Sequence, residues 1–501
     1  MSTSRVLAAV ICLGLWGAPA WAEVINGTLK SIDVEGRTLE LENAKGEATS
    51  YPLPDSAKFF MMAKAAKIDA LEEGQSITVT TDKSGKVTVV RVKKASSQPR
   101  ATAKAGGGGS KATGSGWAQY GGPNRDNRST ETGLLKSWPA SGPEMVANGR
   151  GLGIGYSTVT FSDGKILTMG SRGDDEFVVC LDEKTLSEVW SAKIGRTRPD
   201  GMGGGPRGTP TIDGDRVYSL GANGDLACLK LADGAPLWSG NILQNFSAQN
   251  ITWGISESPL IDGDKVIVTP GGQGAGLVAL NKNSGKLIWK ADIPGNPQTG
   301  YSSAIIVETG GMRQYVNFVH TGVVSVRADN GQFLWGNNAS ANGTANCSSP
   351  LEWDGNVFSA SGYGTGGALV RLSGSRSGVT AALAYQTKNM KSHHGGMVID
   401  GDYLYGTDEG VLKCLEIKSG NVMWQNRSVG KGAVVYADGQ IILRSEEGPV
   451  ALFEATPKSY VENGRFSPSN RGDRPAWPHP VVFDGKLYLR DQDSLAVYAV
   501  K

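Results

Sequence analysis

Ser258-Pro259-Leu260-Ile261-Asp262-Gly263-Asp264-Lys265-Val266-Ile267-Val268, running on to Leu277-Val278-Ala279-Leu280-Asn281-Lys282-Asn283-Ser284-Gly285-Lys286-Leu287-Ile288-Trp289, is the stretch whose reading decides the fold. It consists of short β-rich runs divided by an Asp-Gly turn and by a second Gly-containing turn, and it ends on a tryptophan. Asp-Gly supplies the positive φ values that a tight hairpin needs. The apolar residues between the turns are dense enough to bury both faces of a strand.

The same unit recurs. Asp-Gly turns fall at Asp163, Asp213, Asp262, Asp354, Asp400, Asp438 and Asp484, with a degenerate version at Thr309-Gly310-Gly311, at spacings of 38 to 50 residues. A Gly-x-x-x-Trp ending follows at Trp238, Trp289, Trp335 and Trp424, with Val189-Trp190 in the first unit. Four strands per unit at this period predict a β-propeller, and eight turns predict eight blades. Each sheet leaves two apolar faces that only its neighbours can bury, and the terminal Trp fills the space between them. The last unit ends at Lys501 without an outer strand. Gly142-Pro143-Glu144-Met145-Val146, which resembles the repeat endings, is expected to cross over and complete it.

These repeats resemble those of the pyrroloquinoline-quinone (PQQ) repeat family over roughly residues 117–501. That superfamily includes quinoprotein alcohol dehydrogenases and outer-membrane assembly scaffolds of the BamB type. The segments Gly121-Gly122-Pro123-Asn124-Arg125-Asp126 and Lys391-Ser392-His393-His394-Gly395-Gly396 fit its exported, uncharacterised bacterial members. The resemblance implies an all-β, quinoprotein-like propeller and brings PQQ with Ca²⁺ into view as a cofactor. The dehydrogenases add a vicinal disulfide under the quinone; this chain has no Cys-Cys pair and no Cys-x-x-Cys-His haem motif. No cofactor is therefore assigned, and the leading reading is a non-catalytic binding or scaffolding propeller of the BamB-like type. A divergent PQQ-dependent dehydrogenase acting on an alcohol or sugar is the alternative.

Outside the repeats, residues 1–22 read as a signal peptide. Arg5, the apolar run Val6 to Trp16, and Ala20-Trp21-Ala22 before Glu23 have the order of a secretory leader without a lipid-anchor site. The expected location is the periplasm or the extracellular space. Residues 23–95 alternate as strands do and are read as a small OB-like β-barrel, with residues 57–71 (Phe59, Phe60, Met61 and Met62 among them) as a short helix plugging it. Residues 96–116, with Gly106 to Ser110 and Gly114-Ser115-Gly116, read as a linker. No later segment is long and apolar enough to span a membrane. The net charge of +2 is scattered, which excludes a basic face for nucleic acid. The partner is therefore expected to be an extracytoplasmic protein or a small-molecule ligand, and the propeller to be monomeric. Cys180, Cys228, Cys347 and Cys414 read as small buried side chains rather than disulfide partners.

In a propeller the innermost strand of each blade begins at one mouth of the central channel. Counting five to seven residues back from each turn places Tyr156, Arg207, Glu257, Tyr301 or Ser302, Asn346 or Cys347, His394, Lys431 and His479 there. The candidate ligand set is Tyr156, Arg207, Trp253, Glu257, Tyr301, His394 and His479, because a pocket combines such polar groups with apolar walls. Arg207 suits a carboxylate, Glu257 suits a base or cation ligand, and Trp253 suits stacking. Alternation along a strand allows only one of His393 and His394 to enter the channel. Asp491 and Asp493 read as a polar hairpin, and Gly151 to Gly155 lack the strand-then-helix setting of a dinucleotide site. No catalytic residue and no metal ligand are assigned.

Overall fold

The structure is a computed structural model that describes residues 24–92, apart from 35, 44–47, 62–63, 69–70, 72–74, 83 and 85, and residues 116–501, apart from 470. The expected leader, Cys12, Met62 and all of the linker but Gly116 lie outside the described residues. The chain divides into two compact units, Met1–Gly107 and Gly108–Lys501. Among the described residues, the one α-helix is the four-residue turn Ile242–Asn245, and no helix is long and apolar enough to cross a membrane.

The small unit is one seven-stranded sheet in the spatial order Ala48–Pro52, Thr38–Glu42, Val24–Asp33, Ser76–Thr81, Val87–Val92, Lys58–Met61, Lys64–Ala66. Leu39 and Leu41, Ile77 and Val79, and Val90 turn into its core in strand alternation. The helix expected over 57–71 is not formed. Lys58–Met61 is a strand that lies parallel to Val87–Val92, with Phe59 opposite Val90 and Phe59 buried. A short apolar run has no decisive periodicity. The open backbone edge of Val87–Val92 settles the matter, because pairing satisfies its N–H and C=O groups.

The large unit holds eight four-stranded antiparallel sheets, each built from sequential strands except the last, and its architecture is a β-propeller. In the eighth sheet, Val481–Phe483, Lys486–Asp491 and Ser494–Ala499 are joined by Met145–Arg150, with Met145 opposite Tyr498 and Arg150 opposite Ser494. The predicted crossover strand therefore stands, and it fastens the two ends of the unit into one sheet.

Neighbouring sheets meet at a joint made from both halves of the Gly-x-x-x-Trp motif. The ring of Trp190 in the first sheet lies against Gly234 of the second, and its Nε1 donates to Leu231 O at 3.1 Å. Trp238 lies against Gly285 in the same way and donates to Lys282 O at 2.9 Å. Trp289 lies against Gly331. The fifth sheet has no such Trp, and Tyr385 takes the place, against Gly420 with its hydroxyl donating to Ile417 O at 2.6 Å. Each of these glycines has a positive φ and no room for a Cβ. The first sheet carries Leu186 at this turn, with φ 56°, because it faces Gly149 of the closing strand rather than an indole.

The channel is crossed by residues 117–129. Trp117 O and Ala118 O accept from Phe161 N and Ile212 N on the first strands of sheets one and two. The Arg125 guanidinium donates to Ser258 O at 2.7 Å and Pro259 O at 3.1 Å before sheet three. Asn127 Nδ2 donates to Met397 O, Ser129 N to Tyr436 O, and Ser129 Oγ to Val482 O, reaching sheets six, seven and eight. Innermost strands present unpaired edges to the channel, and this segment satisfies them. The Gly121-to-Asp126 motif thus belongs to a plug, with positive φ at Gly121, Gly122 and Arg125 turning it.

The joint makes a test. Gly234→Ala places a methyl 2.5 Å from the Trp190 ring at φ +71°, whereas Gly263→Ala, at φ +61°, meets open space. The left-handed backbone costs roughly 1–2 kcal/mol at either position. The clash adds roughly 1–3 kcal/mol at Gly234 alone. The urea midpoint should fall clearly further for Gly234→Ala, and equal falls would refute the joint.

Candidate functional site

Above the plug, the mouth of the channel holds an open cavity of about 180 Å³. Its side wall follows a simple register. Six positions before the last residue of the innermost strand stand Tyr156, Arg207, Ser256, Cys347, His394 and Trp477, and all of them line the cavity. Tyr301 does so in sheet four, whose first strand, Ile305–Thr309, is longer. Lys431 occupies the same position in sheet seven, but its ammonium turns to Glu446 at 2.8 Å.

Two residues further along each unit lies a floor of hydroxyls. Thr158 N donates to Thr209 Oγ1 at 3.1 Å, Thr209 N to Ser258 Oγ at 2.9 Å, Ser258 N to Ser303 Oγ at 2.9 Å and Ser303 N to Ser349 Oγ at 3.0 Å. Thr158 Oγ1 donates to His479 O at 2.8 Å, joining the eighth sheet to this belt. Sheet six has Gly396 at the equivalent place, where a Cβ would strike Ala433. Tyr120 of the plug and His479 complete the floor, with ring centroids 5.3 Å apart.

Of the predicted set, Tyr156, Arg207, Trp253, Tyr301, His394 and His479 line the cavity. Glu257 does not, and this corrects the sequence reading. It is fully buried behind the wall, accepting from Thr269 N at 2.7 Å, Thr269 Oγ1 at 2.8 Å and Asn317 Nδ2 at 3.2 Å. The error has a structural source. In four hairpins Asp and Gly both have positive φ and form the loop, as at Asp163-Gly164; at Asp213, Asp262 and Asp400 only the Gly does, and the Asp is the last strand residue. The wall position is therefore seven residues before Asp in the first type and six in the second, and a count of five to seven spans both faces; at Asp262, which shares the type of Asp213, five gives Glu257 where six gives Ser256. Ser256 is the wall residue and Glu257 points the other way.

His393 also lines the cavity beside His394, contrary to the expectation that only one would. Both precede the strand Val398–Asp400, so strand alternation does not govern them. Tyr120, Met202, Tyr363 and Trp477 were also missed. Trp477 and the belt hydroxyls follow the six-and-four register and are readable from it. Tyr120 and Tyr363 are brought in by the plug and by a loop, and carry no such signal.

Charges in the wall are matched. Arg207 Nη2 binds Asp200 at 2.8 Å, its Nε donates to Trp253 O at 3.3 Å, and the guanidinium lies over the rings of Tyr156 and Trp477 at 4.8 and 5.5 Å. Glu446 is held by Lys431, by Trp477 Nε1 at 3.1 Å, and by His394 Nε2 at 3.0 Å, although that ring N–H points off the line to the carboxylate. Burial works to raise Glu446, but these contacts hold it down at about 2. Burial pushes His393 and His479 down to about 4, lowers His394 as well, and pushes the Cys347 thiol up to about 12.

PQQ with Ca²⁺ would place its own demands on the donor set of this cavity. Asp200 and Glu446, the carboxylates beside the wall, already neutralise Arg207 and Lys431. Among the described residues no group of three His, Cys, Asp or Glu side chains is arranged to hold a metal ion. A tricarboxylic quinone needs several free cations and its Ca²⁺ needs free carboxylates; among the described residues this wall offers one guanidinium already paired on one side and no free carboxylate. The residues do not fit that cofactor.

The repeated sheets, the Gly-Trp joints and the capped channel mouth define a β-propeller of the PQQ-repeat superfamily. Residues 174–426, just over half of the chain, match the family described as "Outer membrane protein assembly factor BamB", and the chain belongs to it. The factor of that name from Burkholderia pseudomallei (strain K96243) is 24% identical over 315 residues, 59% of this chain and 73% of that protein. BamB from Moraxella catarrhalis superposes with a TM-score of 0.52 at 16% identity, covering 72% of this chain and 98% of that one. A quinohemoprotein alcohol dehydrogenase from Comamonas testosteroni superposes with a TM-score of 0.56 at 12% identity, covering 77% and 80%. At such identities the structural likenesses speak for the fold alone.

The histidines give a pH test. Unfolded imidazoles protonate near pH 6.5, so His393 and His479 favour the folded state at neutral pH and that contribution is lost as pH falls from about 6.5 through about 4. Glu176 and Glu257, raised to about 7 by burial, act in the opposite direction, which makes Tm a mixed readout. Imidazole ¹⁵N NMR should show His393 and His479 neutral at about pH 5.5 in the folded protein; a midpoint near 6.5 for either would contradict the burial of these rings.

Proposed function

We propose that this chain is an exported, non-catalytic binding and scaffolding propeller of the BamB-like type. Its eight sheets act as eight blades of one ring, residues 1–22 direct export, and the unit within residues 23–95 is a second, OB-like contact module joined through the Gly/Ser-rich stretch 96–116. Its working site is the cavity above the plug, and its partner is an extracytoplasmic protein or a small-molecule ligand.

The observation that carries the reading is the state of the wall. General acid–base catalysis needs a group that titrates near the working pH and reaches the reacting atom. Here Glu446 is held at about 2, His393 and His479 at about 4, and Cys347 at about 12. Arg207 and Lys431 are ion-paired. What remains is aromatic surface and hydroxyl donors, which recognise a ligand without transforming it. The proteins that this chain is similar to include an assembly factor and a dehydrogenase; the donor set favours the first.

Incubation with PQQ and Ca²⁺, followed by dye reduction over a panel of alcohols and sugars, tests this. Dye reduction should be no faster than without the quinone. Turnover that requires PQQ would replace the scaffold reading with a dehydrogenase.

A further inference from the structure

The chemistry of the cavity defines what fits it, given the binding role proposed above. Three features converge. Aromatic rings line it in two runs: Trp253 and Tyr301, with centroids 5.7 Å apart, and a chain from Tyr363 to His393 (4.8 Å), to His394 (5.2 Å) and to Trp477 (5.9 Å). Flat faces of this kind receive a flat ligand by offset stacking.

The floor and one wall offer hydrogen-bond donors that the protein leaves without acceptors. Thr209, Ser258 and Ser303 are each at most 3% exposed, and each oxygen accepts a backbone N–H from the preceding unit. Among the described residues their hydroxyl protons have no protein acceptor. Arg207 uses Nε and Nη2 on Trp253, Gly203 and Asp200, and among the same residues its Nη1 has no acceptor either. Lys431 donates toward His393 Nδ1 at 3.1 Å, which leaves Nε2 as the protonated nitrogen of that neutral ring. Buried donors without acceptors are costly, and a ligand that supplies acceptors relieves that cost.

The charge balance selects the sign. Both wall carboxylates are neutralised, so a cationic ligand would find no free anion and would face Arg207. An anionic acceptor meets the free guanidinium nitrogen and the hydroxyls together, in charge-assisted hydrogen bonds. The volume of about 180 Å³ suits one ring rather than a fused polycyclic system.

We propose that the channel-mouth cavity binds a small, single-ring aromatic monocarboxylate, its ring against the aromatic walls and its carboxylate toward Arg207 and the hydroxyl belt. The proposal rests on the binding reading of this site and narrows it to a chemical class.

Isothermal titration calorimetry on the full-length exported protein tests it with benzoate and 4-hydroxybenzoate as probes. Benzamide, benzyltrimethylammonium and acetate serve as neutral, cationic and ringless comparisons, and PQQ with Ca²⁺ is a separate arm. One-to-one binding of an aryl carboxylate is expected, with benzamide and acetate at least about tenfold weaker. Arg207→Met should remove the preference for benzoate over benzamide. Trp253→Leu leaves the Arg207 contact to the backbone in place, and should weaken both ring ligands about tenfold with little change in Tm. Equal binding of benzamide, tighter binding of the cation, or no binding of any ring acid by folded protein would overturn the ligand class. Tight PQQ binding would instead overturn the binding-only reading of the site, so the two failures are told apart.

Discussion

A four-stranded sheet with two apolar faces cannot stand alone in water, and the contact that relieves this is the seat of one sheet's Trp on the next sheet's Gly. The indole covers more apolar area than any other side chain, and at Trp190 and Trp238 its Nε1 also finds a backbone carbonyl of the neighbour, whereas Trp289 Nε1 has no partner among the described residues. The glycine must have positive φ and no Cβ for the ring to settle. Because the Gly and the Trp lie four residues apart in one motif, a sheet that carries it offers a seat on one side and a ring on the other. Departures obey the same constraint. The fourth sheet's neighbour has the long hairpin Gly366–Ser375 with Gly378–Thr387, and there Trp335 turns its Nε1 to Gln314 of its own sheet at 2.8 Å. The tip of that hairpin lies over Gly310, where Gly374 O would strike any side chain, which accounts for the one unit whose Asp-Gly turn has become Gly-Gly.

Once the sheets are side by side, their innermost strands expose unpaired backbone to a channel, and two devices deal with it. The plug of residues 117–129 answers those edges from within. The hydroxyl belt ties the start of each strand to the next around the mouth. Both are structural demands, yet together they make the site. The plug turns a tunnel into a blind cavity, and the belt residues Thr209, Ser258 and Ser303 line it.

The architecture was legible because its signal is repeated. The turns at Asp163 to Asp484, the Trp endings and the crossover at Met145 each depend on local rules that tolerate small errors in counting. The site was legible only in part because its register is not tolerant. Arg207 and Tyr301 were placed correctly, but Glu257 was taken for Ser256, because the wall position lies seven residues before Asp in one hairpin type and six in the other, and a window of five to seven spans both faces of the strand. The distinction is visible in hindsight: the three units in which the Asp belongs to the strand read Asp-Gly-Asp at 213, 262 and 400, and the others do not. Tyr120 and Tyr363 reach the cavity through tertiary routes that no local pattern records. The helix expected over 57–71 failed for a related reason, since the deciding influence was a partner strand some thirty residues away.

The wall of the cavity joins these threads to function. Repeat units that build blades do not dictate chemistry, so function is argued from the residues that the repeats leave free to vary. Here those residues include two cations, each matched to its own carboxylate, and three histidines that burial keeps neutral. A site that must move protons or hold a hard cation needs its charges available to the substrate; one that must recognise shape is better served by charges already matched, because an approaching ligand then displaces little ordered water and meets fixed dipoles. Arg207 shows both sides of this. Its pairing with Asp200 and its packing on Tyr156 and Trp477 fix the guanidinium plane and leave Nη1, among the described residues, without a protein acceptor. On the binding reading proposed above, the pairing that leaves the wall without a free acid or base is also what fixes the guanidinium that a ligand would meet.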